Sequence, residues 1–210
     1  MTMTVTVEMR VLELLNARLC HELISPVGAI NNGVELMDEE DADFVKEAMK
    51  LVASSAKTAG HRLNFYRFAY GSGRASSGRE AVLGLLEGGK VKVDWTAAAT
   101  ALPVEWQRLA CNMVVLAAET LPRGGNVEVT SGAGGAGIAV NASGDSVNLT
   151  AELRAALGDG AEVDALTART VHGYYTARVA ETLGARLDLA EPGPGKMTLA
   201  AQPRAALSGV

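Results

Sequence analysis

The stretch Leu19-Cys20-His21-Glu22-Leu23-Ile24-Ser25-Pro26-Val27-Gly28-Ala29-Ile30 decides the fold, because its apolar residues recur at the spacing of one helix face. The same spacing of three and four residues extends in both directions, through Leu12, Leu15, Leu19, Leu23, Pro26, Ile30, Val34 and Met37. Such a pattern is typical of a long helix in a helical bundle. We predict a helix over residues 7–37, with a bend just after His21 because proline removes a helix hydrogen bond.

His21 lies off that apolar face. At about 100° per residue, a position two residues from both Leu19 and Leu23 is rotated roughly 200° away from either of them. The imidazole is therefore expected to point into solvent. Its neighbours on the helix surface are mostly small, which leaves room for the surface of another protein: Ala17, Arg18, Ile24, Ser25 and Gly28.

A second helix is predicted over residues 43–70, after an acidic connection at residues 38–43 in which Asp41 or Asp43 can act as the N-cap. Its apolar positions also repeat at steps of three and four residues: Phe44, Ala48, Leu51, Ser55, Ala59, Leu63, Tyr66 and Tyr70. Two long helices with a short connection form an antiparallel hairpin, which places His21 opposite residues 57–64. His61 falls near that level, and we interpret it as a surface histidine.

One hairpin buries its apolar seam poorly by itself. We therefore expect a homodimer in which two hairpins form a four-helix bundle, with one His21 on each outer side.

Composition limits the classes of function. The chain has 210 residues, 48% hydrophobic content and a net charge of −5 with both signs intermixed, which argues against a nucleic-acid partner. The two cysteines, Cys20 and Cys111, lack metal-ligand spacing and fit a reducing cytoplasm. From the cysteine spacing we expect neither a metal site nor a disulfide framework. No apolar run approaches the ~18 residues of a membrane span, so we expect no membrane partner.

A glycine- and serine-rich segment at residues 71–78 marks a domain boundary, so we predict domains at residues 1–71 and 79–210. The second domain mixes helices with sequential strands, which predicts a two-layer α/β sandwich and an α+β fold class overall. Its predicted helices lie at residues 79–87, 104–121, 149–157 and 164–183. Its predicted strands lie at residues 90–96, 126–130, 137–141, 186–190 and 196–201, with a hairpin through residues 131–135 and a closing pair around residues 192–195.

The segment His21-Glu22-Leu23-Ile24-Ser25-Pro26, followed by Val27 and Ile30, resembles the H-box of sensor histidine kinases, in which the histidine carries a phosphoryl group. The resemblance implies that Glu22 orients the imidazole or takes its proton. Arg18, one turn earlier, is either a residue that offsets the phosphoryl charge or an ordinary surface arginine. We assign Ile24, Ser25 and Gly28 to docking a receiver domain, with ordinary helix-surface packing as the alternative.

The second domain resembles the ATP-binding domain of these kinases, through residues 109–129 and the segment Leu183-Gly184-Ala185-Arg186-Leu187-Asp188. Its nucleotide chemistry is absent, however. Leu116 stands where the kinases have a magnesium-binding asparagine, although Asn112 matches an earlier one, and a leucine cannot hold a hard cation. Asn141-Ala142-Ser143 replaces the adenine-reading Asp-x-Gly. Bulky residues occupy the glycine-rich lid at residues 169–173, where we expect a structural role for His172.

A phosphoacceptor hairpin beside such a domain is similar to the ChpT-type histidine phosphotransferases of alphaproteobacteria. The resemblance implies a cytoplasmic phosphotransferase that relays a phosphoryl group through His21, from the receiver of a hybrid histidine kinase to the aspartate of response regulators. It implies no bound ATP, cofactor or metal, since the magnesium belongs to the partner receiver. Two alternatives stay open: a soluble histidine kinase with a divergent ATP site, and a non-catalytic adaptor that binds receivers.

Overall fold

The computed structural model describes residues 8–39, 41–71, 77–132 and 137–203, and it begins with the predicted helical hairpin. Helix α1 spans Met9–Glu35, a 3₁₀ turn spans Leu36–Asp38, and α2 spans Ala42–Ala69. Asp41 caps α2, since its Oδ1 accepts from the backbone N–H of Asp43 at 2.9 Å and of Phe44 at 3.3 Å. Helix α1 continues unbroken through Pro26, and the bend after His21 stays a prediction.

The two helices approach closely near their connection. A Cβ on Gly33 would lie 2.6 Å from Val52 Cγ2 and 3.2 Å from the Ala48 carbonyl oxygen. A larger residue at position 33 would push the helices apart. The absence of a side chain there therefore allows the tight packing of the hairpin.

The second half of the chain is a five-stranded sheet with helices. The helices are α3 Gly78–Leu85, α4 Ala97–Thr100, α5 Val104–Glu119, α6 Ala151–Leu157 and α7 Val171–Thr182. The strands are β1 Val91–Trp95, β2 Gly125–Ser131, β3 Ile138–Ser143, β4 Ala185–Gly193 and β5 Lys196–Pro203. The spatial order is β1-β2-β3-β5-β4, with β1 parallel to β2 and the other pairs antiparallel. None of the helices described is both long and apolar enough to cross a membrane.

One face of this sheet carries the core. Val127 and Val129 of β2 are fully buried, whereas Glu128 between them is exposed. Helix α5 covers the apolar face, and every residue from Leu109 to Ala117 is buried. The strand alternation therefore produces the predicted two-layer α/β sandwich.

The core does not stop at the boundary between the predicted domains. Phe65 and Phe68, near the end of α2, belong to the same buried cluster as the central strands of the sheet. The division into residues 1–71 and 79–210 stays a prediction, and residues 72–76 of its linker lie outside the described residues.

The beginning of α1 packs differently from the prediction. Val11 and Leu14 are buried against Ala156, Leu166 and Val171 of the second domain, whereas Leu12 is 44% exposed. This part of α1 packs on α7 and the loop before it, so a helix face that the sequence did not single out is buried. Leu12 lies on the predicted seam between two hairpins, and its burial in a dimer stays a prediction.

The predicted helix at residues 164–183 is also wrong at its start. The structure has a 3₁₀ turn at Val163–Ala165 and begins α7 only at Val171. Between them, the Thr167 N–H donates to Thr170 Oγ1 at 3.0 Å, and the Thr170 N–H donates to Thr167 Oγ1 at 3.3 Å. Threonine hydroxyls compete with helix hydrogen bonds in this way, so the segment forms a fixed loop.

Candidate phosphoacceptor site

His21 lies on the outer side of α1, as the helix periodicity predicts. Its side chain is exposed, and it has no hydrogen-bond partner among the residues that the structure describes. A neutral imidazole has a ring nitrogen with a free lone pair near pH 7. The exposed ring is therefore available to a reacting group on another protein.

Glu22 is held by an arginine of the second helix. Arg62 Nη1 lies 3.3 Å from Glu22 Oε2, and the same nitrogen donates a hydrogen bond to the Glu22 backbone carbonyl. In an α-helix that carbonyl accepts from the N–H four residues later, and that residue is Pro26, which has no N–H. Arg62 thus supplies the donor that the proline removes. The expected position of His21 opposite residues 57–64 is confirmed by this contact.

A cleft of about 830 Å³ lies between this part of α1 and the second domain. Arg18, His21 and Glu22 line it on one side. The opposite wall comes from the end of α5, the start of α6 and the loop before α7, with Glu119, Glu152 and Arg169 as its charged residues. His21 therefore faces a space bounded by both halves of the chain.

Arg18 joins the two sides of this cleft. Its guanidinium forms an ion pair with Glu119 at the end of α5 and donates to the Ala168 carbonyl at 3.5 Å. Its side chain is 11% exposed. Burial opposes the charge, but the Glu119 carboxylate, with its hydrogen bond, and the side chains of Tyr70 and Tyr66 together raise the pKa of Arg18. Arg18 therefore connects the domains, and its predicted part in binding a partner stays a prediction.

The other predicted docking residues form a surface just beyond His21. Ile24 is 71% exposed, and Ser25 is also exposed. Gly28 is half-buried, and a Cβ built there would meet no atom within 4 Å. The structure thus places an apolar side chain, a hydroxyl and a residue without a side chain on the same helix over the two turns that follow the histidine.

Asn112, which the sequence resemblance matches to an asparagine of the kinases, is fully buried, and both polar atoms of its side chain have partners inside the protein. Its Nδ2 donates to the carbonyls of Arg108 at 2.8 Å and Ala69 at 3.3 Å. Its Oδ1 therefore accepts from Nε2 of His172, at 2.9 Å. His172 is itself fully buried, and its ring contacts the ring of Tyr70 at 5.9 Å between centroids. Burial, assisted by the charge of Arg18, keeps the pKa of His172 well below its ordinary value.

Two further positions that the resemblance singles out, Leu116 and Asn141, offer no unpartnered polar atom. Leu116 is buried in the core. Asn141 lies on β3, where Thr198 Oγ1 donates to its Oδ1 at 2.9 Å and its Nδ2 donates to Glu128 Oε2 at 3.4 Å. No cluster of three or more His, Cys, Asp or Glu side chains that could hold a metal ion occurs in the part of the chain that is described.

His61, predicted to be a surface histidine, is only partly exposed. Its Nδ1 lies 3.3 Å from Glu87 Oε2, and Lys57 donates to the other oxygen of Glu87 at 2.7 Å. The hydrogen bond from Lys57 lowers the pKa of Glu87. The ring thus helps connect α2 to the turn after α3, which differs from the environment of His21.

Sequence reasoning missed three features of this site: Arg62, Glu119 and the loop at residues 166–170. A signal existed for Arg62, because a proline four residues after Glu22 leaves one carbonyl in need of a donor. No local pattern could reveal Glu119 or the loop. Their positions depend on how the second domain packs against α1.

Comparisons with known proteins identify the family of the chain. Residues 78–195 match the family model of the histidine phosphotransferase C-terminal domain. The protein phosphotransferase ChpT of Brucella abortus (strain 2308) is 32% identical over 186 residues, covering 84% of this chain and 88% of that protein. A solved structure of a bacterial phosphotransferase has 29% identity and a TM-score of 0.76, covering 94% of this chain and 98% of that one. The chain therefore belongs to the histidine phosphotransferase family.

Proposed function

We propose that the protein is a phosphorelay intermediate that carries a phosphoryl group on His21. The observation that supports this most directly is the exposed imidazole of His21 beside Glu22, which has no hydrogen-bond partner among the described residues and lines a cleft of about 830 Å³. The phosphoryl group comes from the receiver domain of a hybrid histidine kinase and goes to the aspartate of a response regulator.

The proposed transfer forms one bond and breaks one bond. A lone pair of a ring nitrogen of His21 attacks the phosphorus of the receiver's aspartyl phosphate. The phosphorus–oxygen bond to the aspartate breaks, and its electron pair stays on the aspartate carboxylate. Glu22 accepts the proton of the other ring nitrogen or holds it by a hydrogen bond, which balances the charge on the phosphohistidine. The reverse sequence delivers the phosphoryl group to the next aspartate.

The receiver is proposed to dock on both sides of the cleft. Ile24, Ser25 and Gly28 form the contact on α1, and the second domain supplies the opposing wall. The magnesium ion that stabilises the transferred charge belongs to the receiver's acidic pocket. A relay must also release each partner, so both contacts are expected to be modest in area and short in lifetime.

We propose that the second domain does not bind ATP. Magnesium requires oxygen ligands, and the two candidate positions offer Leu116 and an Asn112 whose amide is occupied by His172 and two carbonyls. The ring of Tyr70 against His172 adds bulk beside Asn112.

We also propose a homodimer with a four-helix bundle. Several large apolar residues of the hairpin are 39–52% exposed in the single chain, and all lie on the predicted seam: Leu12, Val34, Phe44, Leu51 and Leu63. A second hairpin would cover them, and burial of apolar surface is the main driving force for association. Analytical ultracentrifugation tests this, and the wild-type chain should sediment at the mass of two copies. Leu51→Glu should give a monomer, whereas Ile24→Glu should stay dimeric.

The proposed location is the cytoplasm. Cys20 and Cys111 are both free thiols. Free cysteines are usual in a reducing compartment.

The decisive experiment uses a receiver domain that its kinase has loaded with radioactive phosphate. After removal of ATP, the wild-type chain should become labelled, and His21→Ala should not. His61→Ala is the matched control, because it removes a histidine from the same hairpin, and it should keep the label. Persistent labelling of His21→Ala would contradict the proposal.

Two further arms of this experiment address the alternatives. Labelling of the wild-type chain by radioactive ATP alone would favour a soluble kinase, and calorimetry would then detect bound nucleotide. Binding of the loaded receiver without any transfer of label to this chain would favour a non-catalytic adaptor. The relay predicts no label from ATP alone and a label from the loaded receiver.

A further inference from the structure

We propose that Arg62 is a positioning residue for phosphoryl transfer, because it replaces the helix hydrogen bond that Pro26 removes and holds Glu22 beside His21. This proposal rests on the relay function proposed above. It assigns to α2 a specific part in the chemistry of α1.

The first contact concerns the backbone. Pro26 cannot donate to the Glu22 carbonyl, so this oxygen lacks the donor that a regular α-helix provides. Arg62 Nη1 donates to it from α2. A carbonyl between two packed helices that lost this donor would be poorly solvated and would favour a different local backbone arrangement. His21 precedes this peptide directly, so its backbone position depends on the contact.

The second contact concerns the side chain. The same guanidinium nitrogen lies 3.3 Å from Glu22 Oε2, and both side chains are partly buried, with 27% of Arg62 and 34% of Glu22 exposed. One arginine thus fixes both the backbone and the carboxylate of Glu22. A carboxylate that acts on the histidine proton needs a defined position, because small displacements of catalytic groups reduce rates strongly.

The described residues of the cleft contain a second arginine contact that differs from this one. Arg18 also reaches across from one element to another, but it pairs with Glu119 of the second domain and not with the residue next to His21. Arg62 is therefore distinguished by a direct contact with the acidic neighbour of the phosphoacceptor.

The test measures single-turnover transfer from the loaded receiver at saturating receiver concentration. Arg62→Met removes the donors and the charge but keeps most of the aliphatic length, and it should slow the rate constant at least about tenfold. Arg62→Lys, which keeps a charged donor, should recover to within about threefold of the wild type. The matched control is Arg67→Ala on the same helix, whose guanidinium donates to Asn64 Oδ1 at 3.2 Å, and it should leave the rate unchanged.

The role of Arg62 in replacing the missing hydrogen bond to the Glu22 carbonyl is tested by combining Arg62→Met with Pro26→Ala. Pro26→Ala restores an N–H at position 26, so the Glu22 carbonyl no longer depends on Arg62. In that background, Arg62→Met should slow transfer by a smaller factor than in the wild-type background, because only the contact with the Glu22 carboxylate is then lost. Amplitude and rate constant separate folding from positioning, because an unfolded fraction lowers the amplitude and leaves the rate constant of the folded molecules unchanged.

Two results would overturn the proposal. One is a rate constant for Arg62→Met within twofold of the wild type. The other is an equal loss with and without Pro26→Ala, which would mean that Arg62 does not act through the carbonyl. Neither result affects the relay itself, which stands or fails on the labelling of the wild-type chain and of His21→Ala.

Discussion

Two histidines of this chain occupy opposite environments. His21 lies exposed on α1 with no hydrogen-bond partner among the described residues, and it lines a cleft of about 830 Å³. His172 is fully buried at the start of α7, bonded to Asn112 and in contact with Tyr70. The first region is arranged so that a group from outside can reach it, and the second is closed by its own side chains.

The exposed histidine lies on the hairpin, and the buried one lies in the second domain. The second domain contributes Glu119 and the loop at residues 167–170 to the cleft beside His21. Its Asn112 and His172 are instead packed against each other in the interior. We infer that its interior contributes stability, whereas its surface next to α1 contributes to recognition.

The largest effect is expected in the exposed region around His21, for Glu22→Gln. Loss of the carboxylate should slow transfer to His21 by about a hundredfold or more, since general acid–base groups contribute about 10²–10⁴ to rates. Glu35→Gln removes an exposed carboxylate from the same helix, outside the cleft, and should stay within about twofold of the wild type. A Glu22→Gln rate equal to that of this control would show that the carboxylate has no chemical role.

Substitutions in the buried region around His172 should change the free energy of unfolding. His172→Ala leaves the Asn112 oxygen without its donor and opens a cavity, so it should cost about 3 kcal/mol of unfolding free energy. His21→Ala, on the exposed surface, should change stability by less than about 0.5 kcal/mol. Urea denaturation measures the free energy of unfolding of both variants. Similar losses of stability in the two would contradict this prediction.

The buried histidine also predicts a pH dependence. Burial, with a further contribution from Arg18, lowers the pKa of His172 in the folded state, whereas an unfolded histidine titrates near 6.5. Below about pH 6.5 the unfolded chain therefore binds an additional proton, and stability falls as the pH is lowered, by up to about 1.4 kcal/mol per pH unit.

Above about pH 6.5, His172 does not contribute to the change of stability with pH. His172→Gln should remove this component, so its difference in stability from the wild type should shrink between pH 7.5 and 5.5. Denaturation curves at the two pH values provide the measurement, and a constant difference would argue against a neutral buried histidine.

The smallest expected effect concerns docking. Ile24→Ala removes exposed apolar surface beside His21 and should weaken receiver binding by about 1 kcal/mol, or roughly fivefold in Kd, with little change in the rate at saturation. Val104→Ala, an exposed apolar residue at the start of α5, provides the control. Equal affinities of the two variants would place the receiver elsewhere.

The sequence predicted most of the fold because its signals are local. Apolar spacing, the Asp41 cap and strand alternation all act within a few residues, and each predicted the right element. The helix at residues 164–183 failed because the side chains of Thr167 and Thr170 compete with the backbone for hydrogen bonds. The burial of Val11 and Leu14 was not predicted, because it depends on the packing of α1 on the second domain.

The sequence by itself determined that His21 lies off the apolar face of a helix, since helix periodicity fixes the direction of every side chain around its axis. It also determined that Pro26 leaves the Glu22 carbonyl without its usual donor. Only the tertiary structure decided that Arg62 fills that place and that Arg18 is bound to Glu119. These contacts join residues about 40 and 100 positions apart, and such pairs are set by the packing of whole elements, which local patterns do not encode.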